Sequence, residues 1–312
     1  MANKSQSDYE QRHEGEMSRR RILSYLVGAV ALAAGVYYGL PALLERSPGA
    51  ARSMEQFFNN IMRRNNDPDA VENIQERIDR LTRELEDRVE SAVPIGTFEQ
   101  LNAVRRNLSG NYKLVSDIHC PAGHNWEPIG TAEKPFLGIF NGQGHTVYDL
   151  RAEWPERDYV GMFGIVGKDE KYAGVVGNLK LERVNVRGRL NVGKLLGFNK
   201  GAFIYDVFSE GIVCGISCIG GNSGVNFEGI IKGCADKGNV DGGSCIGGLV
   251  GWNHIRGYVV DSFPNEYVQE DEANKKGSLI GWNNVLIIGS DDYSKHIINS
   301  SGTIGLDTSP KR

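Results

Sequence analysis

Hydrophobic residues are spaced in three ways along this chain, and each spacing predicts a different element. From Ile22 to Leu44 they form a 23-residue run with no charge. At ~1.5 Å per residue such a helix can cross a hydrocarbon layer of about 30 Å. From Val71 the apolar residues step by three and four, through Ile74, Ile78 and Leu81 to Leu85. That is the seam of a short amphipathic helix. Beyond Pro94 the apolar runs are short, such as Ile246 to Val250 and Val285 to Ile288, with Gly, Asn or Asp at their ends. Such punctuation predicts strands and turns.

Within the strand region one frame returns four times: Gly, three residues, Gly, one residue, Asn. Its stations are Gly193, Gly197 and Asn199, then Gly220, Gly224 and Asn226, then Gly247, Gly251 and Asn253, then Gly277, Gly281 and Asn283. The first glycines are 27, 27 and 30 residues apart. A fixed period of this length predicts a solenoid, in which no coil can bury its apolar face alone. Strand punctuation makes it a parallel β-helix, expected to run to seven or eight coils. Equal stations then stack in columns at ~4.8 Å. The second glycines are expected where the backbone needs positive φ or close approach. The asparagines are expected to form an amide ladder. Phe198, Val225, Trp252 and Trp282 form a largely aromatic column, and Leu196, Ser223, Val250 and Ile280 a mostly apolar, inward one. Asn222 and Ser223 interrupt the inward pattern, which predicts a distorted or hydrated second coil.

The Gly-Leu-Val-Gly at 248–251 and its neighbours resemble the GLUG-motif repeat of bacterial surface proteins, adhesins and immunoglobulin A peptidases. Upstream segments extend the resemblance: Thr97 to Asn102, Leu108 to Leu114 with Asp117 and Ile118, Pro128 to Gly130, Phe136 to Val147, and Val160 to Gly164 as a shortened first repeat. It covers about residues 95–305. The resemblance implies a right-handed parallel β-helix exposed outside the cytoplasm, and no single activity.

The segment before the coils sets the topology. Arg19, Arg20 and Arg21 abut the apolar run, which favours a cytoplasmic N-terminus and an external C-terminal domain. A retained anchor is the reading adopted; a cleaved signal with Ala31-Leu32-Ala33 as its site is the rival. Ser18 to Leu23 also resembles a twin-arginine export signal. Ala31, Gly35 and Gly39 share one face of the span, at the small-xxx-small spacing that lets membrane helices pack. Met54, Phe57, Phe58, Ile61 and Met62, followed by Arg63 and Arg64, suit a membrane surface or a neighbouring domain. The heptad helix, supported by pairs such as Glu76 with Arg80, is expected to cap the open end of the β-helix, with an oligomerising stalk as the alternative.

Composition adds exclusions. Forty glycines in 312 residues are about twice the usual ~7%. A net charge of −4, without a basic stripe, gives no indication of nucleic acid. Cys218 and Cys245 are 27 apart and so share a column; a buried thiol pair is the expectation, a disulfide the alternative. Cys214 and Cys218 lack a second pair for zinc. There is no His-Glu-x-x-His, no Gly-x-Ser-x-Gly and no phosphate loop. Asp117, His119, His124, His145 and Asp149 lie in the entry coils and are candidates to converge, with His145 expected to serve its turn. Asp206 and Asp236 are not at equal stations, and Asp261 joins Asp206 only with a one-residue insertion.

The expected organisation is a cytoplasmic tail at 1–21, a membrane span at 22–44, a helical neck at 45–93, a β-helix at 94–305 and a tail at 306–312. The function expected is a binding or scaffold module, not an enzyme, without catalytic residues, cofactor or metal. Its partners are the bilayer through 22–44 and a membrane protein or a second copy. Phe198, Trp252 and Trp282 are core if they face inward, which is the expectation; facing outward they would stack on glycans, which defines an adhesin-like alternative. A carbohydrate-active β-helix using Asp206 or Asp261 is the enzyme alternative.

Overall fold

The computed structural model describes residues 74–168, 174–254, 257–263, 265, 276–277, 279–284, 297–298 and 304–306. The span at 22–44 with Ala31, Gly35 and Gly39, the amphipathic stretch at 54–64, and Val71 lie outside these. The chain divides into two compact units, Met1–Val71 with Ser309–Arg312, and Glu72–Thr308, and the second holds every described residue. Among the described residues no helix is long and apolar enough to cross a membrane.

The second unit is a parallel β-helix with three faces. Face one stacks Val93–Ile95, Asn111–Leu114, Ile139–Asn141, Val175–Arg187, Phe203–Cys214, Ile230–Lys232, Tyr258–Val260 and Ile297–Ile298 in chain order. Face two stacks Phe163–Val166, Leu196–Lys200, Ser223–Phe227, Val250–His254, Ile280–Asn284 and Ile304–Leu306. Face three stacks Leu190–Gly193, Ser217–Gly220, Ser244–Gly247 and Lys276–Gly277. Neighbouring rungs run parallel on all three faces.

Among the described residues, six rungs on face two mean about six complete turns, fewer than the seven or eight expected. The 27-residue period holds only in the central coils, as from Phe203 to Ile230. Ile139 pairs with Val175, 36 residues on, and Val259 with Ile297, 38 residues on. Longer turns use up the chain, and the first face-one rungs belong to incomplete coils.

The repeat frame sits in register as its spacing predicts. Gly193, Gly220, Gly247 and Gly277 are paired in series on face three. Asn199, Asn226, Asn253 and Asn283 are paired in series on face two. The amide of Asn199 donates to Asn226 Oδ1 at 2.9 Å, and that of Asn226 to Asn253 Oδ1 at 2.8 Å. Asn253 in turn donates to the Gly257 carbonyl at 3.0 Å. Asn199, Asn226 and Asn253 are fully buried, so these amides close the face-two corner from inside.

Gly197, Gly224, Gly251 and Gly281 are there for close approach, since none has positive φ. A Cβ on Gly251 would stand 2.6 Å from the Ile219 nitrogen, and one on Gly281 2.6 Å from the Ile246 carbonyl oxygen. At this column faces two and three touch through backbone. The second coil is regular: Ser223 pairs with Leu196 and Val250, and its hydroxyl donates to the Val225 carbonyl.

The amphipathic helix is α1 (Ile74–Glu90). It neither caps the end nor stands off as a stalk. Ile74, Ile78, Leu81, Leu85 and Val89 lie on the outer side of face one, against Ile139, Val175, Phe203, Ile230 and Val260. Near its C-terminal end Arg88 donates to Asn111 Oδ1 at 3.2 Å, and Lys113 Nζ donates to the Glu90 carbonyl at 2.7 Å. The fit is metric. Half a heptad rises ~5.3 Å along a helix, and one rung rises ~4.8 Å. Seventeen residues span ~25 Å, and the five steps from the Asn111 rung to the Tyr258 rung span ~24 Å. At the first coil a second helix, α2 (Phe98–Ala103), supplies Leu101 to the core, joined by Val104 and Trp126. Thr97 and Gln100 cap α2 reciprocally.

The first rung of face one contains Pro94, paired with Lys113. The Ile95 carbonyl accepts from the Val115 N–H. Alternate residues of a parallel strand bond to opposite sides, so Pro94 faces away from the stack.

Asn226→Ala is expected to destabilise the coil by about 1–3 kcal/mol, because it strips partners from two buried amides. Urea unfolding checks it through the midpoint at unchanged slope.

Candidate functional site

Three places gather polar side chains. The first is the outer turn after the entry strands. Asp117 Oδ1 accepts from the Thr146 N–H at 3.0 Å and lies 3.1 Å from His145 Nδ1. Arg183 donates twice to Asp149, both at 2.8 Å, and His119 Nδ1 lies 3.6 Å from the same carboxylate. His119 stacks on Tyr148 with centroids 4.6 Å apart, and the Arg183 guanidinium lies 4.6 Å over that ring. Both carboxyls sit below their ordinary range, Asp117 mainly through the Thr146 N–H and Asp149 mainly through Arg183. Four of the five entry-coil residues thus meet in two pairs. His124 stands apart, edge-on to Phe98. Both pairs are open to solvent, and such contacts add little stability. No described group of three or more His, Cys, Asp or Glu is placed to hold a metal. His145 closes its turn through an N–H bond to the Gly142 carbonyl.

The second place is a groove of about 490 Å³ between α1 and face one. Glu86, Val89, Lys113, Asn141, Tyr205 and Lys232 are among its walls. Asn141 donates to the Tyr205 hydroxyl at 2.8 Å, and Tyr205 stacks on Phe203 with centroids 5.3 Å apart. Burial pushes the Tyr205 phenol up to about 12, so it stays a neutral hydrogen-bonding group.

The third place is inside the solenoid. Lys194 Nζ donates to Asp236 Oδ1 at 2.7 Å and to Oδ2 at 3.0 Å, with both side chains fully buried. Ser209 Oγ donates to Oδ1 at 2.6 Å, and the Asn265 amide donates to Oδ2 at 2.7 Å. The Asn222 amide nearby donates to the Val207 and Ala235 carbonyls. Its Oδ1 is buried with no hydrogen-bond partner among the described residues. Desolvation pushes the Lys194 ammonium down and the Asp236 carboxyl up, towards the neutral forms, and their mutual attraction opposes both shifts.

Spacing did not announce this cluster. Lys194 and Asp236 are 42 residues apart, which is no multiple of the period. A signal was present all the same. Lys194 occupies a station whose equivalents on the next two coils are Gly221 and Gly248, and a lone lysine in a column of small residues is out of place.

The other candidates separate. Asp206 and Asp261 do share a column, because Ile230 pairs with Tyr258, a step of 28. With Asn178 and Gly233 they take positive φ at a corner of face one, where Asx residues are favoured. Asp236 is inside and Asp206 outside, so the carboxylates do not converge. Phe198 and Trp252 are 4% and 2% exposed and present no stacking surface to solvent. They pack on Tyr159 and His254 respectively, while Trp282 follows Trp252 in register. Cys218 and Cys245 are buried thiols on adjoining rungs.

No known family profile matches the chain. Halomucin of Haloquadratum walsbyi is 29% identical over 144 residues, which is 43% of this chain and 2% of that protein. A "Putative Gly-rich membrane protein" of Evansella cellulosilytica is 35% identical over 117 residues, 34% of this chain and 13% of that one. The chain therefore spans a small part of either relative. A solved structure, of a "putative immunoglobulin A1 protease" from Bacteroides ovatus, superposes with a TM-score of 0.44 at 14% identity. That match covers 67% of this chain and 74% of the other.

His254 supplies a pH test of the fold. It is 2% exposed, stacked on Phe227 and edge-on to Trp252, and burial pulls its pKa from 6.5 to about 3. The unfolded chain therefore takes up a proton that the fold refuses. The contribution to stability is complete above 6.5 and is lost as pH falls towards 3. His254→Phe is expected to flatten the acid limb of stability against pH, read from urea midpoints above and inside that window.

Proposed function

We propose that this chain is a membrane-anchored binding and scaffold module built on GLUG-like repeats. Residues 22–44 hold it in the bilayer with the N-terminus in the cytoplasm. The β-helix stands outside, right-handed as about 98% of parallel crossovers are. It serves as an accessory subunit of a membrane complex. The observation that carries this reading is α1. The segment leading out of the N-terminal part of the chain is strapped along face one, against the rungs from Ile139 to Val260. Load arriving from an anchor is then shared by the stack instead of falling on its first coil. The "membrane protein" in one relative's name is in keeping with an anchored surface role.

Gentle detergent extraction from native membranes tests it. A membrane partner at fixed stoichiometry is expected, and recovery of the chain alone overturns the reading. Gly35→Leu is expected to abolish that association if the Ala31, Gly35 and Gly39 face makes the contact.

The groove favours a second reading, a surface protein that binds glycans. Its volume falls in the range of small-ligand sites, and its aromatic, amide, carboxylate and ammonium groups suit a saccharide. Glycan-array binding weakened at least tenfold by Tyr205→Phe, which removes the hydroxyl and keeps the ring packed on Phe203, is the expected result. An array with no binding removes this reading.

A further inference from the structure

The pair inside the solenoid has the makings of a covalent cross-link. Lys194 leaves the turn between faces three and two, and glycine fills the equivalent station on the next two coils, at 221 and 248. Its side chain turns into the interior, where it is fully buried. Asp236 approaches from face one, one rung beyond Ser209, with which it pairs in register. The two side chains meet head to head, fully buried, and Nζ is within 3.0 Å of both carboxylate oxygens. The fold thus holds the amine nitrogen beside the carboxyl group with which it would react. Each oxygen has a second donor, Ser209 on Oδ1 and Asn265 on Oδ2.

We propose that Lys194 and Asp236 condense to an intramolecular amide, stapling one coil of the β-helix to the next.

The reaction balances without any co-reactant. A proton passes from Nζ to the carboxylate, giving an amine and an acid. The amine lone pair attacks Cγ and the C–N bond forms. The C–O bond then breaks, and the hydroxyl leaves with one of the remaining Nζ protons as water. Ammonium and carboxylate become amide and water. Burial favours the first step, since it removes two charges from a medium that solvates them poorly. Ser209 and Asn265 are positioned to hold the negative charge that develops on oxygen during attack, as preformed donors do in acyl transfer. The product is neutral, so it relieves the cost of an ion pair in the core. Gly221 is a further requirement, because any side chain there would collide with the Asp236 carboxyl.

Peptide mass spectrometry of the full chain, denatured and digested, tests this. The expected result is a branched peptide joining the segments around Lys194 and Asp236, lighter by one water than the two together. Lys194→Arg is expected to give only linear peptides, because a guanidinium does not condense. Asp236→Asn keeps the shape of the site and is expected to give the same branched peptide with loss of ammonia in place of water. Finding Lys194 and Asp236 of the unaltered, folded protein only in separate linear peptides of full mass overturns the proposal. That reading comes from the native chain, so a variant that fails to fold does not blunt it.

Discussion

In-register stacking governs this molecule. When coils pile up at ~4.8 Å, each side chain's nearest neighbour is its own counterpart one turn away. Like must then tolerate like. Asparagine does so well, because an amide donates at one end and accepts at the other, and Asn199, Asn226 and Asn253 pass hydrogen bonds along the axis. Glycine does so wherever faces two and three touch. A charge does not, since stacked inward charges would repel in a poorly screening interior. Lys194 survives because its counterparts are glycines and because it is answered by Asp236 from another face.

This explains which parts of the fold were legible in the sequence. Whatever stacks on itself leaves a periodic trace, so the glycine and asparagine columns and the register of Phe198, Val225 and Trp252 could be read before any coordinates. Whatever joins different stations leaves none. Lys194, Ser209, Asp236 and Asn265 come together across the interior from unrelated positions. The placement of α1 was hidden for another reason. Its 3.5-residue seam identified an apolar stripe, but a stripe suits a coiled-coil partner, an end cap or a sheet equally well. Only the near match between half a heptad and one rung selects the sheet. The burial of Phe198 and Trp252 was likewise out of reach, because stacking order says nothing about which side of a sheet is covered.

The strap and the interior cluster act in complementary directions. α1 runs along the axis and ties rungs together from outside through dispersion and apolar burial. The Lys194 and Asp236 contact crosses from wall to wall and ties neighbouring coils from inside. A solenoid's nearest-neighbour stacking otherwise leaves each interface to open by itself. Here a local opening must also lift helix from sheet or break the interior contact, so several coils are expected to unfold as one body.

Among the described residues, Pro94 stands in the end rung of the stack. A pile of parallel rungs is a template for its own continuation, and an exposed last rung invites a strand from another molecule. At the outward-facing position of the first rung, proline offers no N–H to such a strand. Molecules crowded together at high concentration can therefore stand side by side without their first coils fusing head to tail into a fibre.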